Sequence, residues 1–145
     1  MKVYTLGSSK KTAEEFFKII TENNIELLID VRLNNKSQLL GFSKGRDLKY
    51  FLHEICNCDY SHEANFAPNK EILDAYKNKE ISWDEYDEKY TALLEKRNVS
   101  KDFTSKYGDK KNLVFLCSEP TPENCHRRLL AEKLAENMNM NIVHL

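Results

Sequence analysis

Between residues 115 and 134 the chain reads FLCSEPTPENCHRRLLAEKL, and the side chains able to do chemistry crowd its middle: Cys117, Glu119, Cys125, His126 and Arg127. A thiol attacks electrophiles or holds a metal. A carboxylate or an imidazole moves protons, and a guanidinium holds anions through its planar fork. Cys125 stands near an expected helix start beside His126 and Arg127, three features that depress a thiol pKa. The same placement suits an inert packed thiol, and Cys117, ending an apolar run, suits a small buried hydrophobe. Glu119 is placed to act as a general base or to pair with Arg127; pairing satisfies both charges at a half-buried edge. Zinc would need four ligands, or three and a water. Cys117, Glu119, Cys125 and His126 have the right types, but there is no C-x2-C pair. Adjacent Cys125 and His126 on a helix would also point about 100° apart. No metal and no cofactor are therefore expected.

A second constellation is Asp30-Val31-Arg32, within IELLIDVRL. Strand alternation puts Asp30 and Arg32 on one face, with Val31 opposite. The pair is either an ionic buttress at a strand end or a working carboxylate beside an anion-holding arginine. Ser9 and Ser37 follow the first two apolar runs and add hydroxyls.

These residues need elements to position them. KVYTL, 2–6, reads as a strand ending at Gly7-Ser8-Ser9. Thr12 and Glu15 form a capping box, and Ala13, Phe16, Phe17 and Ile20 follow as a helical stripe. IELLIDV, 25–31, suits a strand buried on both faces, completing a βαβ unit with a parallel pair. Leu48, Phe51, Leu52 and Ile55 repeat the helical stripe, and CDYSH, 58–62, reads as a short strand. Pro68 is expected in the first turn of a helix carrying Ile72, Leu73 and Tyr76. Ser82 and Glu85 make a second capping box, opening a helix with Trp83, Tyr86, Tyr90, Leu93 and Leu94 on one face. That stripe reads as core rather than as a stacking platform. Residues 98–111 read as a polar loop with at most a helical turn. NLVFLC, 112–117, is a buried strand. Thr121 is the expected N-cap of the next helix, with Pro122 at its first position. NIVHL, 141–145, closes the pattern as a strand.

The alternation predicts a single α/β domain over 1–145, three-layered α/β/α, with a mostly parallel sheet. In such sheets ligands bind beyond the carboxyl ends of the strands. Ser9, Asp30, Arg32, Ser37, Cys117 and Glu119 all follow strands, and Cys125, His126 and Arg127 lie at a helix start facing the same edge. His53 reads as solvated, and His62 and His144 as strand histidines satisfied by neighbours, with His62 a minor site candidate. Lys10-Lys11 and Lys110-Lys111 read as solvated loop charges.

Bulk properties narrow the class. The chain has 145 residues, is 41% hydrophobic and 31% charged, and carries a formal net charge of -1. That composition is globular, and its near-neutral balance lacks the basic excess of many nucleic-acid binders. No apolar run reaches the roughly 18 residues of a membrane-spanning helix, so no membrane association is expected. With no secretory signal before them, the four cysteines are expected as reduced thiols and the protein as cytoplasmic.

Seven stretches resemble one known family: YTLGSS, IELLIDVRLNNKSQLLGFSK, DLKYFL, YSHEANFAPNKEILDAY, ISWDEYDEKY, FLCSEPTPENCHRRLLAEKL and IVHL. The chain is similar to the DUF488 family, whose signatures are the D-V-R and C-x-E…C-H-R elements. The resemblance implies site positions at Asp30, Arg32, Ser37, Cys117, Glu119, Cys125, His126 and Arg127. It implies no reaction. The expected function is that of an enzyme or binder of a small anionic ligand, nucleotide or phosphorylated metabolite, at the strand carboxyl edge. Ser9, Arg32, Ser37, Cys117 and Arg127 would bind; Glu119, Asp30, Cys125 and His126 would do chemistry. No Walker-type loop or G-x-G-x-x-G supports the nucleotide. Two other readings stand beside this one: a nucleic-acid-binding accessory, and a thiol or metal sensor built on Cys117 and Cys125.

Overall fold

A computed structural model of the chain describes residues 1–36, 41–119 and 121–145. Five strands form one sheet: β1 (Lys2–Gly7), β2 (Leu27–Asp30), β3 (Asp59–His62), β4 (Asn112–Cys117) and β5 (Asn141–His144). Their order is β3-β2-β4-β1-β5, and every pairing is parallel. Parallel pairs need crossovers, and six helices supply them: α1 (Ala13–Glu22), α2 (Gly45–Cys56), α3 (Lys70–Lys77), α4 (Trp83–Lys96), α5 (Val99–Tyr107) and α6 (His126–Ala135). The architecture is the three-layer α/β/α one, all-parallel where a mostly parallel sheet was expected.

The two cores show which helices cover which face. Phe16, Phe17 and Ile20 of α1 and Leu48 and Leu52 of α2 pack with Tyr4, Leu6, Leu28 and Leu116 on one side. Tyr86, Tyr90 and Leu94 of α4, Phe103 of α5 and Leu130 and Leu134 of α6 pack with Val3, Ile29 and Phe115 on the other. β2 and β4 are buried along nearly their whole length, which is why both read as unbroken apolar runs. Among the described residues, no helix is long and apolar enough to cross a membrane.

Both capping boxes form: Thr12 and Ser82 each accept the backbone N–H three residues on, and Glu15 and Glu85 bond back. Each such cap contributes about 1 kcal/mol to its helix. Three expectations are corrected. Residues 99–107 are a nine-residue helix rather than a loop, anchored by Val99, Phe103 and Tyr107 in the core. α3 is capped by Asn69, whose side chain accepts from Ile72 N, so Pro68 lies just outside it. α6 begins at His126 with Cys125 as its N-cap residue, not at Pro122. Residues 121–125 instead turn on themselves, with Cys125 N donating to Pro122 O at 3.3 Å.

The connection leaving β1 crosses one face and that leaving neighbouring β4 crosses the other. Adjacent strands whose chains depart to opposite faces leave a crevice at their carboxyl ends. The loops there are bonded across it. Ser8 N donates to Cys117 O at 2.9 Å, and Ser9 N to Ser118 O at 3.1 Å.

Candidate functional site

The carboxyl ends of β2 and β4, the N-terminus of α6 and the facing sides of α3 and α4 enclose a cleft of about 600 Å³. Arg32 and Leu33 follow β2 into it, and Cys117, Ser118 and Glu119 follow β4. Asn124, Cys125 and His126 enter from the start of α6. The opposite wall carries Lys70, Asp74, Tyr76 and Lys77 of α3, with Lys70 Nζ 2.6 Å from Asp74 Oδ2, and Trp83 and Tyr86 of α4. Trp83 stacks on Tyr86 at 4.8 Å between centroids, and Tyr76 meets Tyr86 at 5.1 Å. Tyr86 is buried, while Tyr76 and Trp83 are half-exposed at the rim. A further groove of about 670 Å³ runs between α1 and α2, around Phe17, Phe42 and Phe51.

Asp30 and Arg32 do share a face, and they bind each other. Asp30 is fully buried. Its Oδ1 accepts from Arg32 N at 3.1 Å and Nε at 2.8 Å; its Oδ2 accepts from Arg32 Nη2 at 2.7 Å and Tyr60 OH at 2.6 Å. Arg32 Nη2 also donates to Ser43 O at 2.7 Å. Asn35 Nδ2 donates to Tyr60 OH at 2.9 Å, extending the chain of bonds. Gly45 comes so close that an added Cβ would lie 2.9 Å from Tyr60 OH and closer still to Asn35. Burial, then the Asp30 charge, pushes the Tyr60 phenol up, so it stays a donor. Asp30 thus has all four of its acceptor positions occupied from within.

His126 Nε2 donates to Val31 O at 2.7 Å. A carbonyl only accepts, so the proton sits on Nε2 and the lone pair on Nδ1. Burial pulls its pKa down to about 4, which keeps the ring neutral. His62 Nε2 similarly donates to Arg32 O at 2.8 Å, and His144 Nδ1 meets Thr5 Oγ1 at 2.6 Å. Both strand histidines thus have a neighbour to bond, as expected of them.

Arg127 is fully buried. Its Nη1 donates to Cys117 Sγ at 2.9 Å and to the Glu119 backbone oxygen at 2.6 Å. The expected Arg127–Glu119 ion pair is therefore replaced by a bond to the carbonyl, and the Glu119 carboxylate stands exposed. Arg127 Nε and Nη2 are buried with no hydrogen-bond partner among the described residues. Burial lowers the guanidinium to about 10, against the pull of Glu119 and Glu123. Cys117 and Cys125 are joined by a disulfide, with their Cα atoms 7.5 Å apart, where four separate thiols were expected. Cys56 and Cys58 are free, and burial pushes the Cys58 thiol up to about 12.

The fold thus assembles Arg32, Cys117, Glu119, Cys125 and His126 around one cleft. Arg127 lies behind it, against Cys117. Ser9 lies on the β1 side, its hydroxyl donating to Ser118 O. Ser37 falls outside the described residues. Among the described residues no three of His, Cys, Asp and Glu gather as a metal site would require. The aromatic and lysine wall was missed from sequence; the i, i+3 spacing of Trp83 and Tyr86 signalled only a buried stripe. No curated protein and no solved structure matches the chain. Residues 12–134 match the family described as domain of unknown function DUF488, and with most of its length matched the chain belongs to that family.

Proposed function

We propose that the protein binds a small anion bearing a planar ring, of the nucleotide class, in the cleft at the strand carboxyl edge. The observation that carries this is the pairing of an aromatic rim, Tyr76 and Trp83, with Lys77 and with Lys70, whose partner Asp74 at 2.6 Å shares the wall, around one cleft of about 600 Å³. That size suits a ligand of a few tens of atoms. The ring would lie against Trp83 and the charged group would be held by the lysines. Glu119, exposed and free of Arg127, is the carboxylate available for proton transfer, with His126 Nδ1 as a neutral acceptor lining the same cleft. Asp30 is left out of the chemistry because its acceptors are already filled.

The test is calorimetric titration with a panel of nucleoside mono- and diphosphates, the free nucleosides and inorganic phosphate. A nucleoside phosphate should bind, and Trp83→Ala should weaken it by about 5- to 100-fold, the effect of losing one ring stack. Lys70→Ala with Lys77→Ala should weaken the phosphorylated ligand while leaving the nucleoside unchanged. Absence of binding across the panel, or equal affinity in Trp83→Ala, refutes the reading.

A further inference from the structure

We infer that Cys117 is held as a thiolate by Arg127 and that Cys125 is its disulfide partner, making the floor of the cleft a redox-active cysteine couple. The inference stands apart from the ligand reading, since it uses neither the aromatic wall nor the lysines. It begins with the buried arginine. A guanidinium stripped of water needs an anion, and leaving one uncompensated is strongly destabilising. Among the described residues no carboxylate forms an ion pair with Arg127, and two of its nitrogens have no partner at all. In the structure Cys117 is joined to Cys125; once that bond is reduced, the Cys117 sulfur, 2.9 Å from Nη1, is the one group in contact with Arg127 that can ionise.

The other charges near that sulfur do not oppose the assignment. His126 is neutral, and Asp30 and Arg32 neutralise each other. Lys11, beyond β1, adds a second cation close enough for Arg127 to depress its amine further after burial has done so. Glu119 and Glu123, in the joining loop, are the only acids felt by Arg127, and both are exposed and solvated. The second thiol is in place: Cys125 is the N-cap residue of the ten-residue α6, and its sulfur touches that of Cys117.

Both residues are buried, Cys117 fully and Cys125 nearly so. That excludes bulky disulfides as reagents and leaves a small peroxide as the class of oxidant. The Cys117 thiolate attacks one peroxide oxygen; the O–O bond breaks, sulfur is oxidised to sulfenic acid and hydroxide leaves. The Cys125 sulfur then displaces the hydroxyl, forming the S–S bond, and water departs with the Cys125 proton. Oxidation removes the anion beside Arg127, so the buried charge favours reduction by a small external dithiol, which gives up two electrons and closes its own disulfide while the Cys117 thiolate and the Cys125 thiol re-form.

The experiment is a pH titration of thiolate absorbance in the reduced full-length chain carrying Cys125→Ser, followed by hydrogen peroxide and peptide mass mapping of the wild type. Burial raises the pKa of both Cys56 and Cys58, so they stay silent in the acid range. A thiolate should titrate at least tenfold more readily than free cysteine, whose pKa is about 8.5, and vanish when Cys117→Ser is added. Arg127→Lys should keep it and Arg127→Met should raise it. Peroxide should yield one Cys117–Cys125 cross-linked peptide. A Cys117 midpoint at or above the free value overturns the inference, as does a peroxide-treated protein without that cross-link. Neither readout requires the Arg127 variants to fold.

Discussion

Asp30→Ala removes the centre of the bond network at the end of β2. In the folded chain the Asp30 side chain is 0% exposed and that of Arg32 8%. The alanine would strip the Arg32 guanidinium of its carboxylate partner and leave the Tyr60 hydroxyl facing a void. Breaking one partner of a buried pair costs about 3–5 kcal/mol, whereas an exposed pair of the same geometry would cost about 0–1 kcal/mol. The structure puts both groups in the first class. For a chain of this size each kcal/mol moves the melting midpoint by about 2–4 °C, so a fall of about 6–20 °C is expected. Urea unfolding followed through Trp83, the single tryptophan, gives the free energy directly, with the slope against urea unchanged. Asp30→Leu combined with Arg32→Met removes both charges and should recover most of the loss. A cost under 1 kcal/mol for Asp30→Ala, or a double variant less stable than the single one, would refute the assignment of this pair as a buried buttress.

Two pH predictions follow from buried rings. His126 is neutral in the fold with its pKa pulled to about 4, against 6.5 when free. Its contribution to stability is therefore complete above pH 6.5 and lost as pH falls to 4. His126→Gln should flatten the urea midpoint across that window, and an unchanged slope would count against it. At the alkaline end, burial and the Glu63 bond push the Tyr107 phenol up to about 12, and burial raises Tyr60, Tyr86 and Tyr90 as well. The fold favours their neutral forms, so stability should hold to pH 10 and fall through 12 and beyond. Phenolate absorbance should show these rings ionising late and together with unfolding; reversible titration of all seven tyrosines near pH 10 would contradict it.

Local chemistry was legible in the sequence wherever one short motif carries the signal. Thr12–Glu15 and Ser82–Glu85 are self-contained boxes, and NLVFLC is apolar enough to announce a strand buried on both sides. Helix α5 was hidden because its core contacts, Val99, Phe103 and Tyr107, recur only every fourth residue among lysines, serines and an aspartate. The start of α6 was misplaced because Thr121 and Pro122 make a good cap on paper while the chain spends them on a turn. At the site, the residue types were readable and their partners were not. Nothing in D-V-R says that Tyr60, thirty residues on, completes the carboxylate's bonds. Nothing in C-H-R says that Arg127 takes a sulfur and a carbonyl in place of the Glu119 side chain. The aromatic wall depends on how α3 and α4 meet, a matter of tertiary packing.

The strand order carries a consequence for how the molecule comes into being. β4 lies between β1 and β2, yet it begins at Asn112, more than half the chain after either of them. Until that segment is available, β1 has no parallel neighbour, and β2 can pair only with β3. Contacts spanning such distances are slow to form, because a large loop must close before any bond rewards it. During synthesis, apolar β1 and β2 would wait with open edges until one late strand slots between them. Residues 112–117 act as a keystone: the same six residues that place Cys117 at the cleft floor also join the two halves of the sheet.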